Sequence, residues 1–233
     1  MNQAKSMDDV LQQTGLSLPE LILLIKDGLT TSSLFRLSDQ DHAEYHRLFT
    51  LFVQSRNGDN KDKGEALENL ASFLLSKLGV YRVARNQKTS TNEMDVVLVK
   101  DLTLSVFGGD LFPPYVICEC KNYASSVSVT YVGKFYSLLK VSGVKLGLII
   151  SNEKISGRSK WEAGKGLCRK VALRDDTWII NISYDDLKAI DEKNISLLQL
   201  IRDKISDIKL DTTISYTEHV LCQDAAFIEM PSP

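Results

Sequence analysis

The chain is poor in the residues that staple, anchor or cradle. Its 233 residues hold four scattered cysteines, at 118, 120, 168 and 222. Nothing in their spacing suggests a secreted disulfide framework, so reduced thiols and a cytoplasmic protein are expected. The first residues, Met1-Asn2-Gln3-Ala4-Lys5-Ser6-Met7-Asp8-Asp9, lack the basic-then-apolar order of a signal peptide. The longest early apolar run, Leu21 to Ile25, is far too short to cross a bilayer, and no membrane partner is expected. No Gly-x-Ser-x-Gly elbow is present, which leaves a serine hydrolase without support. Gly164-Lys165-Gly166 lacks the upstream glycine of a phosphate-binding loop and rejects an NTPase. His42 and His46 stand four apart on an expected helix, but Ala43 follows the first where a zincin has glutamate. With no third ligand apparent, they read as a polar helix face. Cys118-x-Cys120 would be half a zinc site without its other half, so the pair reads as small buried strand residues.

What is present is ordinary in bulk and uneven in distribution. Apolar residues make 43% of the chain and charged residues 25%, as in soluble globular proteins, and the net charge is −2. Residues 121–174 nevertheless hold 11 Lys or Arg and only two acids, Glu153 and Glu162, a local net of +9. The rest of the chain therefore carries −11. Such asymmetry points to an anionic partner on one side. Lys154, Arg158, Lys160, Lys165, Arg169, Lys170 and Arg174, with Trp161 nearby, would track phosphates, in and around a basic helix expected from about Gly157 to Leu173. A solvated helix face is the even alternative for that stretch. Lys134 and Tyr136, on the helix before it, would also reach a phosphate backbone, though Tyr136 fits an ordinary amphipathic helix better.

The pattern along the chain is mixed α/β. Ser17-Leu18-Pro19-Glu20 is a capping box before Leu21–Ile25, and Gly28 can end that helix. Ser38 with Asp41 opens a second helix through Tyr45, Leu48, Phe49 and Phe52. The polar stretch Arg56 to Lys63 reads as a linker and a domain boundary. A third helix is expected from about Gly64 to Lys77, with leucines at helical spacing. Strands follow at Val80–Arg85, around Asp95 and at Tyr115–Cys120, with a hairpin or loose excursion at Gly108-Gly109-Asp110. Then come a helix at Val129–Val141, a buried strand at Leu146–Ile150, the basic helix, a strand at Trp178–Ile182, and short helices from Ser183 and from Ser196 to Ile205. The tail from Asp211 is weakly patterned. The early strands sit close enough to pair antiparallel, while the later ones need crossover helices and so pair in parallel.

Two charged clusters interrupt the apolar strands. Asp95 lies in Glu93-Met94-Asp95-Val96-Val97-Leu98-Val99. After 23 residues come Glu119 and Lys121, in Val116-Ile117-Cys118-Glu119-Cys120-Lys121-Asn122. A charge inside an apolar strand is costly unless compensated. A divalent cation between Asp95 and Glu119 would compensate it. Residues i and i+2 of a strand share a face about 7 Å apart, which puts Glu119 with Lys121 on one side and Cys118 with Cys120 on the other. Phosphodiester hydrolysis needs an activated water and relief of phosphate charge, which Mg²⁺ held by carboxylates supplies. Lys121 would orient the water or stabilise the transition state, or act as base were its pKa depressed. The bland alternative is a Glu119–Lys121 ion pair on an exposed strand, with Asp95 capping a turn.

Asp95 followed by Glu119-Cys120-Lys121 resembles the PD-(D/E)xK nuclease superfamily, and specifically its Mrr-type restriction-endonuclease branch. The resemblance covers roughly residues 62–190. It includes Gly64-Glu65-Ala66-Leu67-Glu68 on the first core helix, the Lys121-Asn122-Tyr123 exit, the Val127-x-Val129 entry to the next helix, Gly147-Leu148-Ile149-Ile150-Ser151, and Trp178-Ile179-Ile180-Asn181-Ile182. It implies a restriction-endonuclease-like core at 61–191, a mixed β-sheet flanked by helices. An N-terminal helical segment would occupy 1–60, and a C-terminal helical extension and tail 192–233. It further implies Asp95 and Glu119 as metal ligands, Lys121 as the catalytic lysine, Glu68 completing the acidic site through water, and the Cys120 backbone carbonyl as another ligand. Glu65, three residues before Glu68, is the weaker candidate for that helix carboxylate. Met94 stands where many relatives have proline, and Glu119 where many Mrr-type members have glutamine. The implied activity is a Mg²⁺-dependent endonuclease, with Mn²⁺ substituting, acting on double-stranded DNA in restriction or defence, and a homodimer would let it cut both strands. A junction-resolvase-like repair nuclease and a non-catalytic DNA-binding module of the same fold are the alternatives.

Overall fold

The computed structural model describes residues 36–56, 58–78, 81–88, 93–100 and 113–210, all within the compact unit Phe35–Pro233. The expected helix at Leu21–Ile25, the excursion at Gly108-Gly109-Asp110, the tail from Asp211 and Cys222 lie outside the described residues. In chain order the elements are α1 (Asp39–Ser55), α2 (Asn60–Ser76), β1 (Tyr81–Lys88), β2 (Glu93–Lys100), β3 (Tyr115–Lys121), α3 (Val129–Val141), β4 (Leu146–Ser151), α4 (Ala163–Asp175), β5 (Trp178–Ile182), α5 (Tyr184–Lys193) and α6 (Leu197–Leu210).

The helices start where short polar side chains can accept from their own first turn. Ser38, Asp59 and Ser128 each accept a backbone N–H three residues on, and Ser183 with Asp186 forms a capping box. Asp59 moves the start of α2 to Asn60, so half of the polar stretch read as a linker is the first turn of a helix. Tyr45, Phe49 and Phe52 of α1 then share one apolar cluster with Leu67, Leu70 and Leu74 of α2. His42 Nε2 lies 2.8 Å from the Asp191 carbonyl oxygen, and His46 Nδ1 lies 2.9 Å from the Asp191 carboxylate. The two histidines thus tie α1 to α5.

The five strands lie side by side in chain order. β1, β2 and β3 pair antiparallel, whereas β3, β4 and β5 pair in parallel. The change follows from the connections: α3 and α4 are the crossovers that parallel neighbours require. One face, with Val96, Leu98, Val116, Cys118, Leu148, Ile150, Ile180 and Ile182, packs on α1, α2, α5 and α6. The other, with Ile117, Ile149 and Ile179, packs on α3 and α4. β4 is covered on both faces, which is why Leu146-Gly147-Leu148-Ile149-Ile150 is apolar without alternation. Gly147 is needed for that closeness, since a Cβ there would come within 2.6 Å of the Phe135 ring of α3.

The basic segment departs from expectation. Its helix begins at Ala163, six residues later than Gly157. Gly157 has φ +137°, and the chain folds back there so tightly that a Cβ would meet the Glu162 carbonyl oxygen at 2.5 Å. Arg158 and Lys160 therefore sit on a loop, and only Lys165, Arg169, Lys170 and Arg174 are on α4.

Candidate active site

The pairing of β2 with β3 ends at Val96 opposite Cys118. Asp95 is the next residue on one strand and Glu119 on the other, so the two carboxylates meet where the strands part. The Asp95 side chain takes over from the backbone pairing there. Its Oδ2 accepts the Cys120 N–H at 2.7 Å, so it bridges strands and caps no turn. Cys118 and Cys120 turn the opposite way, into the cluster under α2. Glu119 and Lys121 face α3, as the period of two requires. Lys121 Nζ lies 2.8 Å from Glu119 Oε1. The Tyr131 hydroxyl, from the first turn of α3, donates to the same oxygen. Lys121 also sits over the Tyr131 ring, 4.9 Å from its centre. This is not a surface ion pair, because the side chains of Lys121 and Glu119 are only 17% and 13% exposed.

The electrostatics bind the constellation together. Burial pushes the Asp95 carboxyl up to about 6; the Cys120 N–H and the Lys121 charge oppose the rise, while Glu119 and Glu68 add to it. Burial alone would lower the Lys121 pKa, but the hydrogen bond and charge of Glu119, with Asp95, outweigh it and leave the ammonium raised. This direction is the opposite of the depression that a base role for Lys121 would need. Burial first, then donation to Glu119, raises the Tyr131 phenol far above its usual range. Glu68, on α2, is near enough to be felt by Asp95 and lies 3.6 Å from Arg85. Glu65 is exposed and lines a groove with Leu48 and Leu51 between α1 and α2.

Among the described residues no three His, Cys, Asp or Glu side chains stand close enough to hold a metal by themselves. Two carboxylates set side by side, one of them buried enough to resist ionisation, still fit a hard cation. The contacts above engage Asp95 Oδ2 and Glu119 Oε1, one oxygen of each carboxylate. Two carboxylates completed by a backbone carbonyl and waters suit Mg²⁺, which prefers oxygen and keeps several waters. Tyr131 was not read from the sequence. Its only signal was a phenol in the first turn of the helix that follows Glu-x-Lys.

The basic residues scatter. Lys134 is exposed on α3, and Lys165 and Lys170 are exposed on α4. Arg158 is exposed on the loop, and Lys160 is half-buried there. Lys154 pairs with Asp185 at 2.7 Å. Arg169 is only 5% exposed and stacks 4.7 Å from the centre of the Trp161 ring, so it supports α4 and presents no surface to a phosphate. Tyr136 donates to Asp175.

No curated protein matches the chain. Two solved structures are distantly similar. One is the DNA modification-dependent restriction endonuclease AspBHI, at 10% identity over 77% of this chain, TM-score 0.38. The other is MspJI restriction endonuclease in complex with a 27-mer oligonucleotide, at 18% identity over 84% of this chain, TM-score 0.40. The chain spans 42% of the length of each. No described helix is long and apolar enough to cross a membrane. The Mrr catalytic-domain model, described as a restriction endonuclease, matches residues 60–182 and takes in Glu68, Asp95, Glu119, Lys121 and Tyr131, so the chain belongs to the Mrr-type restriction endonuclease family.

Proposed function

We propose that the chain is a Mg²⁺-dependent endonuclease that hydrolyses phosphodiester bonds of double-stranded DNA, with Mn²⁺ substituting, in restriction or another defence against foreign DNA. The observation that carries this reading is the meeting of Asp95 and Glu119 at the parting of β2 and β3, with Lys121 beside them, inside a family-matched domain.

Asp95 and Glu119 would hold the cation with the Cys120 carbonyl, and Glu68 would join through water. When bound, the ion neutralises phosphate charge and acidifies a water. The Cys120 N–H fixes one oxygen of Asp95 and so orients the other. Lys121, protonated, donates to the phosphate or to the attacking water and stabilises charge that builds on the phosphorus oxygens. Tyr131 holds Glu119 from one side and carries Lys121 on its ring, fixing their separation before substrate arrives. Lys134, Arg158, Lys165 and Lys170 supply sequence-independent attraction to phosphates. A second copy of the chain would place a like site on the other strand.

The test is cleavage of plasmid and linear DNA in Mg²⁺, Mn²⁺ or EDTA by wild type, Asp95→Ala and Lys121→Ala. Metal-dependent cutting lost by a factor of at least about 100 in both variants is the expected result. Variants that cut as well as wild type refute the assignment of the site. A wild type that binds DNA and never cuts it is a binding module.

A further inference from the structure

Beyond the carboxyl ends of β4 and β5 lies a cleft of about 500 Å³, separate from the acidic site. Such crevices are the usual binding places of sheets with parallel strands. Its floor is rigid. The Asn181 side chain accepts the Ile155 N–H and donates to the Ile149 carbonyl and the Ser151 hydroxyl. Val127 and Ile155 form a bridge that ties the loop after β3 to the loop after β4. The Asn152 N–H donates to the Lys121 carbonyl at 3.0 Å, so the floor begins one hydrogen bond from the catalytic lysine.

The lining is positive. Arg56, Lys154, Arg158 and Lys165 face two acids, Glu153 and Asp185, and Asp185 is taken up by Lys154. Arg56, Arg158 and Lys165 are exposed. Arg56 lies 4.8 Å from the centre of the Tyr184 ring. That ring is itself packed on Phe49 and Phe52, which makes it a fixed platform for the guanidinium. Behind the lining residue Asn152 lies an unmet acceptor. Asn152 is 7% exposed, its Nδ2 donates to the Tyr123 carbonyl, and its Oδ1 is buried without a hydrogen-bond partner. Buried acceptors are almost always satisfied, so this one has capacity for one more donor at the edge of the cleft.

We propose that this cleft binds a nucleoside phosphate, with Arg56, Arg158 and Lys165 on the phosphate and Asn152 Oδ1 accepting an N–H or O–H of the base or sugar. The volume suits one nucleotide. Two sources share this chemistry, a free mononucleotide and a nucleotide of a strand that runs on from the cutting site. The second rests on the nuclease reading above.

The experiment uses the full chain carrying Asp95→Asn, in EDTA, so that nothing is cut. Deoxynucleoside 5′-monophosphates, the matching nucleosides and inorganic phosphate are titrated by calorimetry, and labelled single-stranded and duplex DNA by fluorescence anisotropy at several salt concentrations. Monophosphates should bind more tightly than phosphate or nucleoside alone. Arg56→Gln/Arg158→Gln should weaken monophosphate binding at least tenfold, while Lys188→Gln on α5 changes nothing. If the source is a strand, the double variant should also lower the salt dependence of DNA binding by about one phosphate contact. If only free monophosphate binding responds, the source is the mononucleotide. Equal binding of phosphate and monophosphate, or a double variant that binds both ligands like its parent, overturns the proposal. A wild type that cuts no DNA while monophosphates still occupy the cleft overturns the nuclease reading alone. A wild type that cuts while Arg56→Gln/Arg158→Gln is without effect overturns the cleft alone.

Discussion

Asp95→Asn should make the metal-free protein more stable at pH 8 and leave it almost unchanged at pH 4. In the folded chain the Asp95 carboxyl is pushed up to about 6 from its usual 3.8. The fold therefore holds this proton more tightly than the unfolded chain does. As pH rises, the unfolded chain ionises first, so the Asp95 contribution is fully present below about pH 4 and is lost by the time the pH has passed about 6. The gap is about two units, and one unit is worth about 1.4 kcal/mol, so ionised Asp95 costs the apo fold up to about 3 kcal/mol at pH 8. Asparagine has the same shape, cannot ionise, and can still accept from the Cys120 N–H, though a neutral acceptor does so more weakly. The net gain should be about 1–3 kcal/mol, or several degrees in Tm for a domain of this size. The assay is urea unfolding at pH 4, 6 and 8 in EDTA, repeated with excess Mg²⁺. Magnesium should stabilise the wild type and do little for the variant, because the cation needs the carboxylate. A variant less stable than wild type at pH 8 in EDTA, or a difference that does not change with pH, would refute the account of Asp95 as a buried charge awaiting a cation.

Tyr131→Phe keeps the ring under Lys121 and removes the donor to Glu119. Hydrogen bonds to charged groups are worth about 1.5–3 kcal/mol, so kcat should fall about 10- to 100-fold with little change in KM, and Tyr131→Ala should fall further. Equal effects of the two on KM alone would show that the tyrosine merely shapes the surface. Gly147→Val places a branched side chain where even a Cβ meets the Phe135 ring at 2.6 Å. It should cost about 1–3 kcal/mol in chemical denaturation or abolish folding, and a neutral result would mean that α3 can lift off β4. Phe52→Ala empties a fully buried site between α1 and Tyr184. It should cost about 3–5 kcal/mol, and a loss below about 1 kcal/mol would show that α1 is not part of the cooperative core.

Local chemistry made much of the fold legible. The helix expected from about Val129 to Val141 before Gly143 is α3, at Val129–Val141. β4 and β5 follow from unbroken apolar runs between helical segments, and the change from antiparallel to parallel pairing follows from the crossovers. The meeting of Asp95 with Glu119 was foreshadowed by charges set in apolar strands. The rest depends on packing that no short window carries. The start of α4 is delayed because Gly157 lets the chain double back on Glu162, a contact between residues on either side of a turn. That delay changes which basic side chains share a face, and Arg169 falls against Trp161. The reach of Tyr131 to Glu119 depends on how closely α3 lies on β3. Asp59 was read as linker because the apolar spacing of α2 begins only after it.

Because strand order equals chain order, no strand must be inserted between two that are already paired. The sheet can grow by accretion at one edge as the chain leaves the ribosome. Glu68, Asp95, Glu119, Lys121 and Tyr131 all fall within the stretch from α2 to α3, before β4 has been made. The residues of the constellation are thus all made ahead of the parallel half of the sheet, whose Gly147 takes the Phe135 ring of α3. The constellation would then be completed only with β4, because α3, which carries Tyr131 to Glu119, packs on that strand.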